Sequence, residues 1–311
     1  MAAGISQADG DMMRCAVGLL LLAGLARPQG SAPQGTDTFQ ISVNVDLVVL
    51  QATVHDRQGG FAPDLHERDF QIFEDGVRQS VKLFRHDDIP VTVGLVVDHS
   101  GSMHPKLAHV IEAARTFARS SNPADQMFVV NFSDRVSLGL LAERPFTDRP
   151  DELEAAIART PAAGKTSLYD AVVLALDRLK TGSSEKKVLI VISDGGDNAS
   201  KLKLADVLKK AEESSAVIYT IGIFDDADED KNPDVLRRLA RATGGEAFFP
   251  AHLEEVVANC ESIARDIRHQ YTLGYVPTSE AKAGAYRKVR VEARAEGYGN
   301  LQVRTRSGYI N

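Results

Sequence analysis

The sequence predicts an α/β fold: a doubly wound, mostly parallel sheet with a small flanking β-rich domain built from both ends of the chain. Three observations predict it. Between residues 90 and 269, strand-like apolar runs alternate with segments whose apolar residues recur at helical spacing, the signature of βαβ units. Two of these runs, VGLVV at 93–97 and VLIVI at 188–192, are apolar throughout, as strands covered on both faces must be. On either side of this region, period-two alternation returns without intervening helices.

The elements follow in order. Residues 15–26 read CAVGLLLLAGLA behind Arg14. The run is too short to span a bilayer and has the length of a signal-peptide core. Gly24, Leu25 and Ala26 offer a cleavage site, which makes residues 1–26 a signal peptide and Arg27 the mature start. Asp9 and Asp11 fit such a leader poorly, and translation from Met12 or Met13 removes the misfit. A buried N-terminal helix is the alternative. The expectation is an exported protein, periplasmic or extracellular, that meets a membrane only through its export signal. Residues 27–38, rich in Pro, Gly, Ser, Thr and Gln, read as a linker. Residues 39–89 form an N-terminal β segment: Val43, Val45, Leu47 and Val49 alternate, and 70–84 (FQIFEDGVRQSVKLF) is a hairpin candidate turning at Asp75-Gly76.

The α/β region, 90–269, opens with strand 91–97 and a helix presenting Leu107, Val110, Ile111, Ala114, Phe117 and Ala118 on one face. Strand 127–132, an edge strand at 136–141, and helices 151–159 and 167–180 follow. Then strands 188–193, 217–223 and 247–249 alternate with helices 202–214, 233–243 and 253–269. The C-terminal β segment, 270–311, carries YTLGYV, YRKVRVEARA and LQVRTRSGYI. The two flanks are expected to pair with one another around the inserted α/β region.

Composition limits the function. Of 311 residues, 43% are hydrophobic and 25% charged, with net charge −7. That is a soluble globular chain without the broad basic surface that nucleic acid requires. Cys15 falls in the leader, leaving Cys260, so the mature chain forms no internal disulfide. Cys260 shares an apolar helix face with Val256, Ile263 and Ile267 and reads as core filler.

The chemistry-bearing residues stand at strand ends. Strand 91–97 runs into Asp98-His99-Ser100-Gly101-Ser102, and strand 188–193 into Asp194-Gly195. Ligands of open α/β sheets sit at the carboxyl ends of strands where the strand order reverses. Asp98, Ser100 and Ser102 alternate, so one loop can turn three oxygens to one side. An all-oxygen set suits a hard cation such as Mg²⁺ or Mn²⁺, with Ca²⁺ a third candidate. A cap on the following helix for Asp98 and Ser100, and an ordinary turn at Asp194-Gly195, are the local alternatives.

DHSGS, Thr166 within GKTSLYDA, and SDGGDN resemble the three loops of the metal-ion-dependent adhesion site of von Willebrand factor type A domains, in that family's order. The likeness runs over residues 90–269, and the flanks look like those of a bacterial VWFA-related family. The resemblance implies that Ser100 and Ser102 bind a metal directly, Thr166 directly or through water, and Asp98 and Asp194 mostly through water. It implies that a protein partner's acidic residue takes an open position, and that His99 points away from the site. The function it implies is non-enzymatic, metal-dependent protein binding or adhesion. A structural envelope module with a purely stabilising metal, and a metal-dependent hydrolase, are the alternatives.

Other signals fail on inspection. Gly164-Lys165-Thr166 ends like a phosphate-binding loop, yet Arg159 stands where the first glycine belongs, so no nucleotide site is expected. Asp226, Asp228 and Asp230 begin like a calcium loop, but Lys231 and Arg237 occupy its glycine and glutamate positions. His99, His104 and His109 make no His-Glu-x-x-His site, and no G-x-S-x-G elbow is present.

Overall fold

The computed structural model describes residues 47–225, 230–279, 282 and 284–310. The leader, the linker, the start of the first strand, and Asp226 and Asp228 lie outside the described residues.

The elements are β1 (Val48–His55), β2 (Phe70–Glu74), β3 (Val77–Gln79), β4 (Val81–Arg85), β5 (Val91–Asp98), α1 (Leu107–Ser120), β6 (Gln126–Phe132), β7 (Val136–Leu138), α2 (Pro150–Ala158), α3 (Leu168–Leu179), β8 (Lys186–Ser193), α4 (Leu204–Glu213), β9 (Val217–Gly222), α5 (Pro233–Thr243), β10 (Ala247–Phe248), α6 (Glu255–Arg268), β11 (Tyr271–Tyr275), β12 (Tyr286–Ala293), β13 (Gln302–Arg304) and β14 (Gly308–Ile310).

The α/β region is a six-stranded sheet in the order β10-β9-β8-β5-β6-β7, parallel except for the antiparallel edge strand β7. Helices cover both faces. On one face Val93, Leu95, Val97, Ile190 and Ile192 pack against α1, α2 and α6; on the other Val96, Leu189 and Val191 pack against α3, α4 and α5. Every residue of β5 is buried, which is why that strand shows no alternation. β5 lies between β6, which follows it, and β8, which comes after the chain has crossed back. The strand order therefore reverses at β5, and its carboxyl end opens into the crevice.

The flanks interleave in a two-sheet β sandwich. One sheet runs β13-β1-β11-β4 and the other β14-β12-β2-β3, and every pairing joins antiparallel strands. Leu50, Ala52, Phe70, Ile72, Tyr271, Leu273, Tyr275 and Val291 fill the space between the sheets.

Two strand expectations need correction. Residues 70–84 do not form one hairpin. Asp75 (φ 48°) and Gly76 (φ 84°) make the tight turn between β2 and β3, but the chain then leaves that sheet, and β4 pairs with β11 in the other. Likewise LQVRTRSGYI is two strands, β13 and β14, in different sheets. Each crossing lets a single apolar run feed both walls of the sandwich. Among the described residues, no helix is long and apolar enough to cross a membrane. Cys260 is buried in α6, where burial pushes its thiol up to about 12.

Candidate metal centre

Four of the five candidate residues sit in one hydrogen-bonded chain. Asp98 ends β5 with its side chain fully buried. Its Oδ1 accepts the Ser100 N–H at 2.7 Å, and its Oδ2 accepts the Ser193 hydroxyl at 2.6 Å. Ser100 Oγ lies 3.1 Å from Ser102 Oγ, and Ser102 Oγ donates to Asp194 Oδ2 at 2.7 Å. Asp194 Oδ1 accepts the Gly196 N–H at 3.0 Å. Each aspartate thus closes a local turn with one oxygen and keeps the other for a hydroxyl from elsewhere. Neither Asp98 nor Ser100 caps α1, which starts at Leu107 behind Lys106; Ser100 stands at the head of the short 3-10 turn Gly101–Met103, but its side chain makes no capping hydrogen bond there.

The turn bearing the serines is anchored by Met103, which is fully buried in the core. Thr166 stands just before α3 and is 6% exposed. Its loop joins the serine loop through Gly101 N–H donating to the Gly164 carbonyl at 3.1 Å. Gly164 has φ +87°, and a Cβ there would lie 2.1 Å from Asp134 Oδ2. Only glycine lets Asp134 press close enough for its Oδ1 to accept the Lys165 N–H at 2.9 Å. Gly195 is constrained in the same way: φ is +80° and a Cβ would meet the Asn232 carbonyl at 2.3 Å.

Burial pushes the Asp98 carboxyl up to about 6. The hydrogen bonds from Ser193 and Ser100 oppose the shift, and the charge of Asp194 adds to it. His99 is fully buried and turned away from the serines, its Nε2 3.1 Å from Asn131 Oδ1. Burial lowers its pKa, partly offset by the Asn131 bond.

Several residues that hold the loops carry no signal of that role in the sequence. Ser193, Asp134 and Asn198 act on partners 95, 31 and 32 positions away. Ser193 and Asn198 sit inside the SDGGDN segment, but nothing local says what they touch. The three histidines of the 99–109 segment do not gather, and no group of three or more His, Cys, Asp or Glu side chains among the described residues is placed to hold a metal. Three of the five candidate residues instead carry hydroxyls.

The model of the von Willebrand factor type A domain matches residues 92–261, more than half of the chain. The chain belongs to the von Willebrand factor type A domain family. The matched stretch contains all three loops and ends within α6. Over 233 residues, 70% of this chain, it is 25% identical to the mouse inter-alpha-trypsin inhibitor heavy chain H2. Over 167 residues, 52% of the chain, it is 28% identical to an uncharacterized protein of Synechocystis. The chain spans 23% of the length of the first relative and 38% of the second. The solved von Willebrand factor type A structure from Catenulispora acidiphila superposes with a TM-score of 0.51 at 14% identity, covering 86% of this chain and 74% of that one. That likeness shows the fold.

Proposed function

We propose that this chain is an exported, non-enzymatic binding module whose Ser100, Ser102, Thr166, Asp98 and Asp194 hold Mg²⁺ or Mn²⁺, and that an acidic side chain of a protein partner completes the site. The observation that carries the reading is the pairing of Asp98 and Asp194. Two carboxylates share one chain of hydroxyls at the carboxyl end of the central strand, and one is buried deeply enough to be raised to about 6. A buried carboxylate beside a second one is costly unless a cation compensates it.

The donor chemistry fits a hard divalent ion, since every candidate donor is oxygen and no His or Cys belongs to the set. When bound, such an ion supplies a positive centre that accepts a carboxylate from another molecule. Two carboxylates and three hydroxyls leave room in a six-coordinate shell for that sixth oxygen. The chain's own residues do the rest. Met103 anchors the serine turn, Asp98 Oδ1 fixes its start, and the Gly101–Gly164 bond brings the threonine loop alongside. Selectivity among acidic partners comes from surrounding surface, because one metal bond cannot distinguish them.

Domains of this family often serve as interaction and adhesion modules in bacteria, which supports the binding reading. The apolar run behind Arg14 supports export. The place of His99, inside the core against Asn131, argues against its use as the general base of a hydrolase. The burial of Asp98, Ser100, Thr166 and Asp194 favours a second reading, in which the cation only stabilises the loops.

Two measurements separate the readings. Calorimetric titration with Mn²⁺ should show binding by wild type and none by Asp98→Ala or Asp194→Ala; equal affinity in all three sinks the metal site. Capture from envelope extract should then succeed in Mg²⁺ and fail in chelator and with Ser100→Ala. A captured partner held equally well in chelator leaves the metal as a stabilising element only.

A further inference from the structure

Thr166 lies outside any strand or helix, immediately before Ser167, the N-cap of α3. No ladder fixes its backbone, so something else must. Asn198, in the loop after β8, grips it at both backbone polar groups. Asn198 Oδ1 accepts the Thr166 N–H at 2.9 Å, and the Asn198 N–H donates to the Thr166 carbonyl at 3.0 Å. The Ala199 N–H reaches the same carbonyl, also at 3.0 Å. The amide of Asn198 is itself oriented, because its Nδ2 donates to Asp230 Oδ2 at 2.9 Å. Flipping it would set a donor against the Thr166 N–H and an acceptor against the Asp230 carboxylate.

We infer that Asn198 is the positioning residue for Thr166: it acts on the cation only by fixing where the threonine hydroxyl stands. A β-branched side chain has restricted χ1 freedom, so fixing its backbone narrows the directions its hydroxyl can take. The Gly101–Gly164 bond holds this loop from the serine side, and Asn198 holds it from the Asp194 side. The inference rests on the metal reading proposed above.

The test has two arms. In metal-free protein, the Thr166 amide should exchange with deuterated water at least about tenfold faster in Asn198→Ala than in wild type. Asn198→Asp keeps the acceptor for the Thr166 N–H but sets a second carboxylate against Asp230, so its protection should fall between those of wild type and Asn198→Ala. In Mn²⁺ titrations, Asn198→Ala should weaken binding about tenfold to a hundredfold, as loss of a support behind a ligand does. Added to Thr166→Ala, it should cause no further loss. If Asn198→Ala does not fold, Asn198→Gln replaces it, its carboxamide standing one carbon too far out. An unchanged exchange rate, or losses that add fully in the double variant, overturns the inference. Equal Mn²⁺ affinity in wild type and Asn198→Ala overturns it while leaving the metal reading intact. Wild type that takes up no Mn²⁺ overturns both.

Discussion

At the level of a single residue, Asp98 is where burial works against ionisation. Its carboxyl is raised from 3.8 to about 6, chiefly by burial. The folded protein therefore holds this proton more tightly than the unfolded chain does. Without metal, stability from this group is complete below about pH 4 and is lost as pH rises through 6. The difference is on the order of 3 kcal/mol. Asp98→Asn removes the ionisation and keeps the shape, since Ser193 can turn its hydroxyl to accept. In chelator at pH 8, urea unfolding should find Asp98→Asn more stable than wild type, with the two converging by pH 4. Burial also raises Asp125, but that contribution is common to both proteins and cancels in the comparison. Wild type and variant that differ equally at pH 8 and pH 4 would refute the assignment. Mn²⁺ should reverse the order at pH 8 by stabilising wild type alone. At this scale the sequence was legible where the pattern is local. Asp98, Ser100 and Ser102 declare themselves by alternation after an apolar run, and Asp194 by closing another. Asn198, Ser193 and Asp134 do not, because their partners are brought to them only by the folded sheet.

The element that places Asp98 and the serine loop is β5, and its burial on both faces has a cost in side-chain volume. Gly94 is where that cost is met. A Cβ at this position would lie 2.5 Å from Phe128 Cζ and 2.6 Å from Leu189 Cδ2, side chains that reach over it from the neighbouring strands. Glycine in a strand interior is otherwise unfavourable, so its place here reflects packing. Gly94→Ala should cost about 1–3 kcal/mol by overpacking, read as a lower urea midpoint with an unchanged slope. A midpoint equal to wild type would mean that Phe128 moves aside freely. The unbroken apolar runs of β5 and β8 already specify a doubly covered sheet. The run at 70–84 reads as one hairpin, whereas only its turn at Asp75-Gly76 joins paired strands. Alternation predicts which residues face a core; it does not say that the chain changes sheets at Ser80, because both sheets of a sandwich present their apolar faces to the same core.

At the scale of the whole described chain, the sandwich and the α/β region are bound by charged side chains that reach from one into the other. Arg304 from β13 pairs with Asp266 of α6 and donates to Glu246 at 2.5 Å. Arg306, 8% exposed, spends its guanidinium on three carbonyls: Gly308 at 2.8 Å, Ser214 at 2.8 Å and Glu212 at 2.6 Å. The last two belong to the end of α4, so a residue between two sandwich strands caps a helix of the α/β region. A Cβ on Gly244 would lie 2.4 Å from the Arg306 N, so the backbone of the C-terminal segment is seated directly on the turn after α5. These contacts should make the two parts unfold together. Scanning calorimetry of wild type should show one transition, with the calorimetric and van't Hoff enthalpies equal. Arg306→Ala leaves the two α4 carbonyls without their charged donor, a loss on the order of 3 kcal/mol. It also removes the tie between the parts, so the single transition should broaden or divide. Arg306→Lys keeps the charge but cannot serve three carbonyls at fixed angles, and should fall between the two. Two resolved transitions already present in wild type would show that the shared arginines do not couple the parts. A single sharp transition in Arg306→Ala, at the wild-type midpoint, would place the coupling at Arg304 and Asp266 instead.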